Sequence, residues 1–296
     1  MSIEPVTYIY KIVGTCEIHA DVYRVACTPE PSPTIVYIHG GCLIYGSRKD
    51  INSKQLELYL QSGYTVIAID YRLAPETKLP SIIEDLQDTF RWVRENGPDS
   101  FGVDPDRVAV VGHSAGGYLA LMAGFAVEPR PRALVSFYGY GDIIGDWYSK
   151  PDPFYRSMPI VSEKDSGILV KGPIISEPYK GREKDLFYLY CRQRGLWPKE
   201  VAGHDPVTES SFFKPYCPIQ NISGDYPPTL LLHGTEDTDV PYQQSQMMAK
   251  ELTRVAVENE LISIPDGCHV FDRDMDAHQV KDVFRTVLAF LKKHIR

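Results

Sequence analysis

Val110-Val-Gly-His-Ser-Ala-Gly-Gly117 is the stretch on which the reading of this chain turns. A short apolar run, Arg107-Val-Ala-Val-Val111, leads into it, and a helix-like run over 118–125 follows. Inside it lies G-x-S-x-G, with Gly112, Ser114 and Gly116. Between a strand and a helix, this spacing predicts a sharp turn that lifts the serine hydroxyl above the sheet edge. Small residues must flank that serine, because the two backbones pass close together. The turn also sets the serine beside a helix N-terminus, whose unpaired N–H groups favour developing negative charge.

The pattern around this stretch repeats. Residues 8–12 and 16–23 alternate apolar and polar, as half-exposed strands of an opening hairpin do. Continuous apolar runs at 34–38, 64–69, 107–111, 132–137, 229–232 and 260–264 predict strands buried on both faces. Helical patterns fall between them, at 51–62, 80–96, 115–126, 242–256 and 277–294. In the last, Val280, Val283, Phe284, Val287, Leu288 and Leu291 form an apolar stripe at spacings of three and four. Strands alternating with helices predict a doubly wound α/β sheet.

Three further motifs end such strands. Tyr37-Ile-His-Gly-Gly-Cys42 places glycines where backbone N–H groups can approach a carbonyl oxygen. Leu230-Leu-Leu-His-Gly-Thr-Glu-Asp237, followed by Thr-Asp-Val-Pro241, puts acids on the rim where α/β sites form. Glu236, Asp237 and Asp239 are all candidates there. Pro265-Asp-Gly-Cys-His-Val-Phe271 follows the last strand, and its His269 can accept and return a serine proton. Of the eight histidines, His39, His113 and His233 sit inside the other motifs and are expected to organise loops. Cys42 and Cys268 flank the expected site, so bulky alkylation is expected to inhibit.

These residues resemble an α/β-hydrolase-fold carboxylesterase of the hormone-sensitive-lipase-like branch. His39-Gly-Gly is similar to its oxyanion motif, and Gly112-His-Ser-Ala-Gly-Gly117 to its nucleophile elbow. Asp70-Tyr-Arg-Leu-Ala-Pro-Glu76 is similar to the segment after its fourth strand. The resemblance implies a mostly parallel eight-stranded sheet, no cofactor, no metal, and ester hydrolysis through an acyl-enzyme. It makes Ser114 the nucleophile, His269 the base and Asp237 its orienter, in the family's chain order. Gly40, Gly41, Cys42 and Ala115 become the oxyanion loop and its N–H donors. It also allows a homodimer through an edge strand. Two features depart from the pattern. Cys42 stands where a third glycine is usual, and the extra residues follow the sixth strand, whereas much of the family carries an N-terminal cap.

Those extra residues, 141–225, hold no strand-like apolar run and one plausible helix at 183–194. The expected division is a catalytic core of 1–140 and 226–296 with 141–225 as a lid. The lid is rich in aromatics, and Trp147, Phe154 and Tyr188, with His113, are the expected substrate-binding residues. Composition agrees with an ordinary globular chain: 296 residues, 43% hydrophobic and net charge −8. That charge argues against nucleic acid or an anionic membrane as partner. No apolar run reaches the roughly 18 residues of a membrane span. The first residues lack a basic-then-apolar leader, and the six cysteines are scattered. A reducing cytoplasm is therefore expected. The expected substrates are small to medium soluble esters. The alternatives are a kynurenine-formamidase-like arylformamidase or amidase, and a non-catalytic ligand-binding hydrolase fold. A prolyl-oligopeptidase-like enzyme normally adds a large propeller, for which 296 residues leave no room.

Overall fold

The apolar runs become eight strands: β1 (Val6–Val13), β2 (Cys16–Tyr23), β3 (Ser32–Ile38), β4 (Thr65–Ile69), β5 (Val103–His113), β6 (Ala133–Phe137), β7 (Thr229–Gly234) and β8 (Asn259–Ile264). A computed structural model describes residues 4–24, 31–168, 172–178 and 185–296. The strands form one sheet in the order β1-β2-β4-β3-β5-β6-β7-β8. β1 and β2 pair antiparallel, as do β2 and β4, and every later pairing is parallel. All residues of β3, β4, β6 and β7 are buried, which is why they read as unbroken apolar runs.

The helices are α1 (Ser53–Gln61), α2 (Leu79–Phe101), α3 (Ala115–Ala126), α4 (Asp146–Ser149), α5 (Pro153–Arg156), α6 (Glu163–Ser166), α7 (Asp185–Arg194), α8 (Trp197–Ala202), α9 (Ser210–Phe213), α10 (Gln243–Arg254) and α11 (His278–Ile295). Strand residues alternate between the two sheet faces. Val36, Ile38, Ile67, Ile69 and Val110 pack against α2 and α3. Ile35, Tyr37, Val66, Ala68 and Val111 pack against α1 and α11. Each large apolar side chain so buried contributes about 1.5–3 kcal/mol. α2 runs past the expected 96 to Phe101, where Gly102 takes the left-handed φ of +61° that ends it.

The insertion lies between β6 and β7. Its described residues contain no strand. α7 matches the expected helix from Asp185 onward, while 183 and 184 lie outside the described residues. The other insertion helices, α4, α5, α6, α8 and α9, have four to six residues. That is too short for a 3.6-residue period to show in sequence. Among the described residues, no helix is long and apolar enough to cross a membrane.

Candidate active site

β5 ends at His113, and α3 begins one residue after Ser114. Ser114 itself has φ 54° and ψ −116°, a conformation that non-glycine residues rarely adopt. Its N–H donates to the Phe137 carbonyl at 2.9 Å, which pins the turn to β6. The flanking glycines are required by space. A Cβ on Gly112 would stand 1.9 Å from the Gly116 carbonyl oxygen, and one on Gly116 would stand 2.1 Å from that of Ile38.

Loops after β7 and β8 bring two distant residues to this serine. His269 Nε2 lies 3.1 Å from Ser114 Oγ, and its Nδ1 lies 2.7 Å from Asp237 Oδ2. Asp237 is fully enclosed. Its Oδ1 accepts the N–H groups of Asp239 and Val240, both at 2.9 Å. His233 Nε2 stands 3.2 Å from Oδ2, and His233 is fixed in turn by Ser245 Oγ at 2.7 Å. Burial alone raises the Asp237 pKa, but hydrogen bonds from His233 and His269 outweigh it and hold the carboxyl well below its usual range. Burial pulls His269 down, whereas Asp237 and then Asp239 push it up, and the net shift is upward. Of the three acids left open by the motif, Asp237 is the one on Nδ1. Glu236 points outward and is exposed.

The glycine loop after β3 approaches from the other side. Gly41, Cys42 and Leu43 all have positive φ, at 99°, 57° and 62°. Gly41 O accepts from the N–H groups of Ile44 and Tyr45, closing the turn. A Cβ on Gly41 would meet the Tyr45 carbonyl oxygen at 2.0 Å, and one on Gly40 would meet His113 O at 3.0 Å. His39 is buried, stacks on Tyr71 at 4.3 Å, and its Nδ1 donates to Gly40 O at 2.7 Å. Burial holds its pKa down at about 4, so it is a neutral brace for the loop. The Cys42 thiol is buried beside Tyr45, and burial pushes its pKa up to about 12. It is an inert part of the loop wall, unlike the exposed Cys268. Cys27 lies outside the described residues.

A cavity of about 800 Å³ opens beside Ser114. Gly40, Gly41, Cys42 and Tyr45 line one wall; Cys268, His269, Phe271 and Arg273 line another. His113 lines it, with its Nε2 tied to Asp272 Oδ2 at 3.0 Å and its ring stacked on Phe137 at 4.3 Å. Asp272, with Tyr138 OH donating to its Oδ1 at 2.8 Å, was not legible as a site residue. Nothing in the motif Pro265 to Phe271 signals a second His–acid pair, since its partner lies 159 positions away.

Trp147, Phe154 and Tyr188 do not line this cavity. Trp147 and Tyr148 stack at 3.6 Å within an aromatic cluster around Arg192, and Phe154 is exposed. Tyr188 OH donates to Asp239 Oδ1 at 2.5 Å. The sequence shows the aromatics of the insertion but not the arginine they enclose. Arg192 is 1% exposed, with Tyr155, Tyr148, Trp147 and Tyr188 rings around its guanidinium. The insertion also reaches the glycine loop, where Trp197 Nε1 donates to Cys42 O at 3.0 Å.

Among the described residues, His19, Asp70 and Glu177 stand close enough to suggest a metal. Arg48 occupies that place, bonding Asp70 Oδ2 at 2.5 Å and Glu177 at 3.0 Å. The cluster is an ion-pair knot under the Asp70-Tyr-Arg segment.

An alternating β/α sheet with a serine on a strained strand-to-helix turn is the α/β-hydrolase fold, and comparison with known proteins agrees. A family profile named BD-FAE matches residues 20–139, which hold the glycine loop and Ser114. The prolyl oligopeptidase family profile matches residues 185–296, which hold Asp237 and His269. A protein of unknown function from Staphylococcus aureus superposes with TM-score 0.79 at 23% identity, covering 98% of this chain and 100% of that one. An esterase from Thermogutta terrifontis superposes with TM-score 0.69 at 21% identity, covering 98% and 92%. A non-reducing polyketide synthase of Aspergillus terreus is 28% identical over 98% of this chain, which spans 14% of that protein's length. These likenesses show the α/β-hydrolase fold for the chain.

Proposed function

We propose that the protein hydrolyses small to medium carboxylic esters through Ser114, His269 and Asp237. The observation that carries this reading is the continuous relay from Ser114 Oγ through His269 to Asp237, at 3.1 and 2.7 Å, opening on the cavity. His269 Nε2 takes the Ser114 proton as Oγ bonds to the ester carbonyl carbon. The carbonyl electron pair moves to oxygen, where the N–H groups of Gly41, Cys42 and Ala115 receive it. Each such donor is worth about 3 kcal/mol of barrier. The carbon–oxygen bond to the alcohol then breaks, and the imidazolium returns its proton to the alcohol. Water repeats the sequence on the acyl-enzyme and frees the acid. Asp237 stays ionised, fixes the imidazole tautomer and stabilises imidazolium.

Residues 1–140 and 226–296 form the catalytic core in this reading. The described residues of the insertion brace it: Trp197 holds the glycine loop, and Tyr155, Tyr188 and Arg192 hold Asp239. The test is labelling with a fluorophosphonate probe. Modification of Ser114 with loss of turnover on a p-nitrophenyl ester is expected; an unlabelled serine overturns the assignment. A series of acyl esters is expected to peak at short to medium length. The polyketide synthase relatives favour a second reading, in which the acyl group is a polyketide acid held as ester or thioester. The same relay serves it, and paired oxygen and sulfur esters of one acid distinguish the two.

A further inference from the structure

The relay does not need Asp239, yet this carboxylate stands at its working end. Asp239 Oδ2 lies 3.4 Å from His269 Nε2, the nitrogen that faces Ser114. The other oxygen, Oδ1, is turned away and bonded three times. Tyr155 OH donates to it at 2.6 Å, Tyr188 OH at 2.5 Å and Arg192 Nη1 at 2.8 Å. Arg192 is itself tied to Asp152 at 2.8 Å. The Asp239 N–H donates to Asp237 Oδ1 at 2.9 Å, so the relay's own acid fixes the backbone. These contacts leave no freedom in which oxygen faces the cavity that Asp239 lines.

An ion-paired carboxylate oxygen offers lone pairs and no proton. When His269 Nε2 protonates the departing alcohol, that oxygen must lie within hydrogen-bond reach of Nε2. Asp239 Oδ2 is then a near neighbour of the alcohol half of the ester. A hydroxyl on the second carbon from the ester oxygen can donate to it. A plain alkyl group in that place covers the carboxylate oxygen and supplies no donor, which is costly. Asp50, Asp274 and Arg273 also line the cavity.

Resting on the ester-hydrolase reading, we propose that Asp239 is a specificity-determining residue that selects alcohols bearing a hydroxyl donor on the carbon adjacent to the one that carries the ester oxygen. The chain thus favours esters of diols and polyols over esters of simple alkanols.

The test compares the 2-hydroxyethyl and n-propyl esters of butyric acid, which share the acyl group and nearly share size. The wild-type kcat/KM is expected to favour the hydroxyethyl ester by about tenfold or more. In Asp239→Asn the amide oxygen keeps the tyrosine and arginine donors, so a donating NH2 faces the cavity. The substrate hydroxyl can then accept from that neutral NH2 but no longer donates to a charged oxygen, so the ratio is expected to fall at least about fivefold. Tyr155→Phe removes one anchor and leaves Oδ2 in place, so its ratio is expected to stay within about threefold of wild type. A wild-type ratio near one overturns the proposal, and so does an unchanged ratio in Asp239→Asn. An equal fall in Tyr155→Phe assigns Asp239 to anchoring and overturns it too. If neither ester turns over and Ser114 resists the fluorophosphonate, the ester-hydrolase reading itself fails.

Discussion

Two histidine–aspartate pairs lie side by side in this molecule, and they are placed differently. His269 meets Asp237 through Nδ1 and offers Nε2 to Ser114. His113 meets Asp272 through Nε2, and its Nδ1 has no hydrogen-bond partner among the described residues. Tyr138 stands edge-on to both imidazoles, at 4.7 and 5.8 Å. Both carboxyls are held below their usual range. Burial raises each, and the histidine partners overcome it. Composition and electrostatics therefore do not separate the two pairs. The difference is which nitrogen is anchored, and whether a serine hydroxyl faces the other.

The largest expected effect tests that difference directly. Ser114→Ala or His269→Ala should lower kcat by about 10⁶-fold. His113→Phe should lose far less, leaving the two histidines at least about 10⁴-fold apart. Steady-state turnover of an activated ester reads both, and equal losses would erase the contrast. The second prediction concerns the acids. Asp237→Ala should cost about 10⁴-fold in kcat. Asp272→Ala leaves His113 and the buried Tyr138 hydroxyl without their acceptor, and should cost about 3 kcal/mol of stability, measured by urea unfolding. If Asp237→Ala proved the more destabilising and Asp272→Ala the more inactive, the roles assigned here would be reversed.

The third prediction is a pH profile. In the proposed reaction His269 accepts the serine proton only when neutral. Because its pKa lies above the ordinary 6.5, it stays protonated to higher pH. The kcat/KM should therefore rise with pH through a midpoint above 6.5. Asp237→Asn removes the leading group that lifts this pKa, and should move the midpoint down. A midpoint at or below 6.5 would detach the acid limb from His269. The smallest effect concerns thiols. Cys268 is exposed and Cys42 is buried with its pKa near 12, so iodoacetamide should modify the first and spare the second in the native protein. Peptide mass spectrometry distinguishes them, and rapid labelling of Cys42 would show a looser glycine loop.

Much of the site was legible because it uses short-range rules. Gly112 and Gly116 stand around Ser114 since backbone approaches within about 2 Å of an added Cβ allow nothing larger. Asp237 and His269 each follow a strand whose apolar run announces it. Asp239 is one of three acids in its motif, and the resemblance favours Asp237 over it. Its contacts with Tyr155, Tyr188 and Arg192 span between 47 and 84 positions, which no local pattern encodes. The aromatics of the insertion looked like a substrate wall. The structure wraps them around Arg192 instead, since a buried guanidinium needs both acids and ring faces to offset its lost hydration.

The sequence by itself determined the strand and helix alternation, the serine turn and the order of acid and histidine loops. Those follow from periodicity and from steric limits acting over a few residues. Tertiary structure alone decided that β4 sits between β2 and β3, that Asp237 takes Nδ1 of His269, and that Asp239 turns one oxygen to the cavity. Those outcomes depend on distances between chain segments far apart in sequence. Only the assembled sheet, with the insertion bound to its loops, brings those segments within hydrogen-bond reach.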